Sequence, residues 1–139
     1  MRQLLIGALM AAGLIEGTAS VAARPKAVSV CDVAERAPAL TGSRVRVQGY
    51  VFNLGSHGFA LVGRRRECRR DAQLGLWIDR VLGDPAGRRA FATSLGPRRA
   101  ILVGTVGWTQ TRFGDGRNPA LHVERLEYLS ARDAGLDDF

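Results

Sequence analysis

A chain of 139 residues has room for one domain around one core, and 46% hydrophobic with 24% charged residues sets disorder aside. The charge is one-sided, with 20 Lys and Arg against 13 Asp and Glu for a net +7, and every cation but Lys26 is an arginine. Such an excess suits phosphate or carboxylate partners, because the guanidinium fork grips planar anions with two donors. The same bias, beside many Ala and Gly, also arises from a GC-rich coding sequence with no ligand involved.

Residues 4–15 are an apolar run behind Arg2, and the small residues Ala19, Ser20, Val21, Ala22 and Ala23 follow. This is the pattern of a cleavable export leader over residues 1–23, with Val21 and Ala23 suited to the small-residue pockets of a signal peptidase and the cut near Ala23. A dozen apolar residues fall short of the roughly 20 that a spanning helix needs, so no transmembrane helix is expected in the mature chain. The expected location is periplasmic or secreted, with the folded domain over residues 24–131 and a flexible acidic tail over 132–139.

Cys31 and Cys68 are the two cysteines, and an even pair in an oxidising compartment is expected to close into a structural disulfide around a 37-residue loop. A redox or metal role finds less support: there is no Cys-x-x-Cys, and no His or Asp stands at ligand spacing to both.

Along the mature chain, Ser29 followed by Asp32 predicts a short helix that starts at a Ser29 cap and stops before Pro38. Residues 44–52 alternate, with Val45, Val47, Gly49 and Val51 on one face against Arg46, Gln48, Tyr50 and Phe52, which predicts a strand. Gly49 inside it suggests a bulge or a sharp bend. Residues 53–58 read as a turn, 59–63 as a second strand, the Arg-rich stretch to Asp71 as a loop, and 74–79 as a third strand.

Asp84-Pro85 resembles a helix start, and Gly96-Pro97 closes that helix. Residues 98–111 then read as a long strand, 113–119 as a turn and 121–129 as the last strand. No internal repeat, linker or low-complexity segment is present.

Five strands ordered β-β-β-α-β-β, with a long bent first strand, match the five-stranded Greek-key barrel called the OB-fold. The stretch Leu40-Thr41-Gly42-Ser43-Arg44-Val45-Arg46-Val47-Gln48-Gly49-Tyr50-Val51 is similar to many first strands of such barrels, as is Ile101-Leu102-Val103-Gly104-Thr105-Val106 to a later one. The chain therefore resembles bacterial periplasmic OB-fold proteins over about residues 28–129. The expected class is all-β with short helices: one at the N-terminal side and one between strands three and four. The resemblance implies a binding face on strands two and three, here Phe59, Leu61, Trp77 and Asp79 with the loop 64–70.

A fold of this kind does not fix its ligand. One specialised relative attaches haem through a His with a Tyr four residues later; here Leu126 follows His122 and Leu61 follows His57 at that spacing, so no cofactor is expected. Ser56-His57 and His122 beside Glu124 lack a nucleophile elbow or a carboxylate pair, and His57, His122 and Asp115 lack metal spacing. The expectation is a non-catalytic, monomeric binding module for an anionic envelope component or an acidic protein surface. Its contact residues would be Arg64, Arg65, Arg66, Arg69 and Arg70 with Tyr50, Phe52 and Trp77.

Single-stranded nucleic acid is the rival ligand, because Tyr50, Phe52, Trp77, Trp108 and Phe113 interleave with Arg46, Arg64, Arg65, Arg69 and Arg112. Export argues against it, and Trp77 between Leu76 and Ile78 reads more as core than as platform. A small envelope enzyme is the third alternative.

Overall fold

The computed structural model describes residues 25–69, 71–92, 96–110 and 116–139, with the side chains of Ala92 and Asp138 left aside. The segment expected to be an export leader, with its expected cut near Ala23, lies outside the described residues, as do Arg70, Arg112, Phe113 and Asp115.

The strands are β1 (Val28–Ser29), β2 (Arg44–Asn53), β3 (Phe59–Val62), β4 (Gln73–Trp77), β5 (Arg98–Gln110) and β6 (Arg117–Leu129). The helices are α1 (Val30–Glu35), α2 (Ala37–Leu40), α3 (Asp79–Leu82) and α4 (Pro85–Ala92). The protein is thus mostly β, built on one six-stranded sheet with few short helices. Its strand order is β1-β2-β3-β4-β6-β5, and β2 pairs β5 as well, so five strands close on themselves and β1 lies outside the ring along β2.

The closure is a property of β2. Its residues 44–51 pair antiparallel with β5 and its residues 50–53 pair with β3, so one strand is shared by two sides of the ring. Gly49 keeps its place opposite Ala100 without a bulge. What excludes a larger residue there is the core, since a Cβ would come within 2.8 Å of Leu61 Cγ and 3.1 Å of Val30 Cγ1.

The alternation of β2 sends Val47 and Val51 inward, where they meet Leu61, Leu74, Leu102, Leu121, Val106 and Val123. Each fully buried leucine contributes about 1.5–3 kcal/mol of transfer free energy. Val30 and Val33 of α1 and Phe91 of α4 complete the core, with Phe91 in an edge-to-face contact with Phe59 at 5.2 Å.

Four local expectations change. A sixth strand exists: Val28 and Ser29 pair in parallel with Val47 and Gln48. Pro38 does not stop the helical region, because α2 begins at Ala37 and a proline in a first helical turn forfeits no needed N–H. The third strand ends at Trp77, and Asp79–Leu82 forms the single turn α3. The last strand starts four residues early, at Arg117, with Pro119 opposite Trp108. The Ser29 cap is present, its hydroxyl accepting from Asp32 N–H at 3.2 Å.

Candidate functional site

Cys31 and Cys68 are bonded, with their Cα atoms 5.4 Å apart. The bond ties the first turn of α1 to the middle of the loop that follows β3. It lies against Gly63, where an added Cβ would overlap Cys68 Sγ and come within 3.0 Å of Cys31 Sγ. The Arg-rich loop is therefore anchored twice: its ends are joined by Gly63 N–H donating to Ala72 C=O at 3.1 Å, and its middle is held by the disulfide.

By strand alternation Tyr50 and Phe52 lie on the outer face of β2, opposite the core residues Val47 and Val51. Tyr50 is nevertheless only 8% exposed. Arg64, at the start of the loop, places its guanidinium carbon 4.6 Å from the Tyr50 ring centroid. The chain reaches it simply, because Tyr50 pairs with Val62 and Arg64 is two residues further on.

The third ring of the cluster comes from the far end of the sequence. Phe139 meets Tyr50 edge-on at 5.1 Å and Phe52 edge-on at 4.9 Å. Edge-to-face pairs contribute about 0.5–1.5 kcal/mol each beyond buried area, and a partly desolvated cation–π contact about 0.5–2 kcal/mol. The segment 132–139, read as tail, thus ends on the barrel: Ala134 N–H donates to Pro97 C=O at 2.7 Å, and the turn Leu136–Asp138 delivers Phe139.

Of the eight ligand residues named from sequence, Tyr50, Phe52 and Arg64 come together. Arg65, Arg66 and Arg69 stand exposed along the anchored loop, and Arg70 lies outside the described residues. Trp77 is a surface residue, 46% exposed, so the reading of it as core is corrected. Its neighbour in the β4–β6 pairing is His122, and the two rings stack at 5.6 Å with 6° between planes. Leu76, one position earlier, carries the inward side chain, which is why the indole points out. Phe59 and Leu61, placed on the binding face by the resemblance, turn inward to the core instead.

Several arginines are structural. Arg46 Nε reaches across β5 to Glu127 Oε2 at 2.6 Å, and its Nη1 donates to Pro25 C=O at 3.2 Å. Arg125 holds the other oxygen of Glu127 at 2.7 Å. Arg44 and Thr105 hold Glu124 in the same way, at 2.8 and 3.3 Å. Arg46 is therefore withdrawn from any nucleic-acid groove. Trp108 is likewise engaged, its indole N–H donating to Thr41 Oγ1 at 2.8 Å.

The hydrogen bond from Arg46, then that from Arg125, holds the Glu127 carboxyl below its ordinary value of 4.5. A lowered folded-state pKa stabilises above the unfolded value, and the gain is lost as pH falls through the folded value. Glu127→Gln should therefore melt below the wild type at pH 7, and the gap should narrow as pH falls below the ordinary Glu range and through the lowered folded-state value. A gap that persists in acid would assign the effect of Glu127 to packing rather than charge.

A depression of about 680 Å³ lies beside the disulfide and is lined by Glu35, Arg69, Asp71, Gln73 and Asn118 among others. Its charges are mixed, so it does not gather the basic loop. Among the described residues no three His, Cys, Asp or Glu come together to hold a metal, and no helix is long and apolar enough to cross a membrane.

No family model and no curated protein matches the chain. Among solved structures, OBody AM2EP06 bound to hen egg-white lysozyme is similar to it, with a TM-score of 0.53 and 19% identity over 81% of this chain and the whole of that one. A likeness at that identity concerns the fold.

Proposed function

We propose that the protein is an exported, monomeric, non-catalytic binding module of the OB type whose ligand is anionic, an envelope component or an acidic protein surface. The closed ring of five strands and the likeness to an OBody support the barrel type. The disulfide supports an oxidising compartment. Export itself is checked by sequencing the N-terminus of the secreted protein, which should begin near Arg24.

The observation that carries the anionic reading is the Arg64 guanidinium seated on Tyr50, at the foot of a disulfide-anchored loop that presents Arg65, Arg66 and Arg69. Such a loop offers charge without the cost of ordering it on binding. With exposed ion pairs contributing about 0.2–1 kcal/mol each, replacing Arg64, Arg65, Arg66, Arg69 and Arg70 by Ser should weaken binding of dextran sulfate by about tenfold or more. The remaining binding should depend less on salt, because exposed charges are screened over about 8–10 Å at physiological ionic strength. Unchanged affinity and an unchanged salt slope would end this reading.

Exposed Trp77 favours a second reading, single-stranded nucleic acid, since base stacking on an aromatic ring contributes about 1–3 kcal/mol. A thymidine oligonucleotide that binds the wild type and is lost on Trp77→Ala would select it over the first.

A further inference from the structure

We propose that the segment from Asp133 to Phe139 is a tethered occupant of the binding face, and that the ligand the face takes is a protein segment of the same chemistry, acidic and carrying an aromatic side chain. This deepens the anionic reading and rests on it.

Tyr50 and Phe52 lie on the outer side of β2 and are not part of the barrel core, which closes through Val47, Val51, Leu61, Leu74, Leu102 and Leu121. Phe139 is thus an external visitor: its ring inserts edge-on between Tyr50 and Phe52, while Leu136 three residues earlier is 67% exposed.

The charges are complementary. Asp133, Asp137 and Asp138 make the tail acidic in a chain of net charge +7, and the face it meets is crossed by Arg64 and flanked by the arginine loop. A separate chain carrying a ring and carboxylates could meet the same rings edge-to-face, as Phe139 does, and bring its carboxylates within reach of Arg64 and the loop arginines. The backbone of the segment is bonded to the barrel at Ala134, through Pro97, and residues 135–139 belong to no strand, so they can leave without opening one.

A segment on a short tether acts at an effective concentration on the order of millimolar. If it closes the face about nine-tenths of the time, a free competitor loses about tenfold in apparent affinity. The tail then sets a threshold that only a better or more concentrated acidic, aromatic segment passes.

The test uses the full chain and a fluorescein-labelled peptide with the sequence Asp-Ala-Gly-Leu-Asp-Asp-Phe, read by anisotropy, with dextran sulfate as a second probe. Phe139→Ala should bind the peptide about tenfold more tightly than the wild type, and adding Phe52→Ala should abolish that gain. Equal peptide binding by wild type and Phe139→Ala, or a gain that survives Phe52→Ala, overturns the proposal. In the unmutated chain, saturating peptide should move the Phe139 amide resonance to its random-coil position; an amide that stays in place overturns it whether or not the variants fold. Dextran sulfate binding that needs the loop arginines, together with a negative peptide result, leaves the anionic reading standing and removes only the tail. Loss of both removes both.

Discussion

Replacing Cys31 and Cys68 together by Ser is expected to lower stability by about 3–4 kcal/mol, the chain-entropy gain from closing a loop of this length. The bond spans 37 positions of sequence and joins α1, which packs Val30 and Val33 into the core, to a loop with little apolar content of its own. For a domain of this size that is a large part of a total of about 5–15 kcal/mol. Urea unfolding of oxidised and reduced wild type, beside the double serine variant, measures it. Reduced wild type and the variant should coincide, both with a midpoint well below the oxidised protein.

A difference under about 1 kcal/mol would mean that the loop is held mainly by Gly63 and Ala72. The same variant bears on binding, because an unanchored loop must be ordered on each encounter, at about 0.5–1.5 kcal/mol per immobilised side chain. Polyanion affinity should therefore fall even under conditions where the barrel remains folded.

How much of the fold and of the site is legible in the sequence depends on the range over which each signal acts. The alternation over residues 44–52 is local and strong, and by itself it puts Tyr50 and Phe52 on the face opposite Val47 and Val51. The Cys31 and Cys68 pair follows from an even count of two, with the expected oxidising compartment beside it. The strand Val28–Ser29 is not legible, since two residues carry no period and their partners Val47 and Gln48 are distant.

Trp77 is misread for a related reason. Leu76, Trp77 and Ile78 form a continuous apolar run, and a run cannot say which of its members points inward; the pairing of Leu76 with Phe59 and Leu121 decides it. Phe59 and Leu61 are carried onto the binding face by resemblance, which transfers strands but not the phase of their side chains. Phe139 escapes notice because an acidic end reads as solvated tail. The available signal is a large aromatic at the end of that run, an odd residue to leave in water.

Gly104→Ala is expected to be among the most damaging single substitutions in the ring, at about 3 kcal/mol or more. Gly104 lies in β5 between two partners, opposite Val45 of β2 and Val123 of β6, where the β5–β6 register shifts. An added Cβ would collide with the carbonyl of His122 and come within 3.0 Å of Leu121 Cγ. The first obstacle is backbone, and that carbonyl belongs to a strand bonded to both β4 and β5, so it cannot step aside as a side-chain end could. Overpacking where only flexible side chains must move typically costs about 1–3 kcal/mol, and a rigid ladder puts this position at or above the upper end. Gly75→Ala is the internal control. It is also in a central strand, but its Cβ would find only Thr109 and Ala120 at 3.7–3.9 Å, ordinary contact distances. Thermal melts of the two variants should differ by many degrees, since about 1 kcal/mol shifts the midpoint of a domain this size by about 4–8 °C. Equal melting points would show that β6 yields at the bulge, and the ring would then be softer there than its continuous pairing implies.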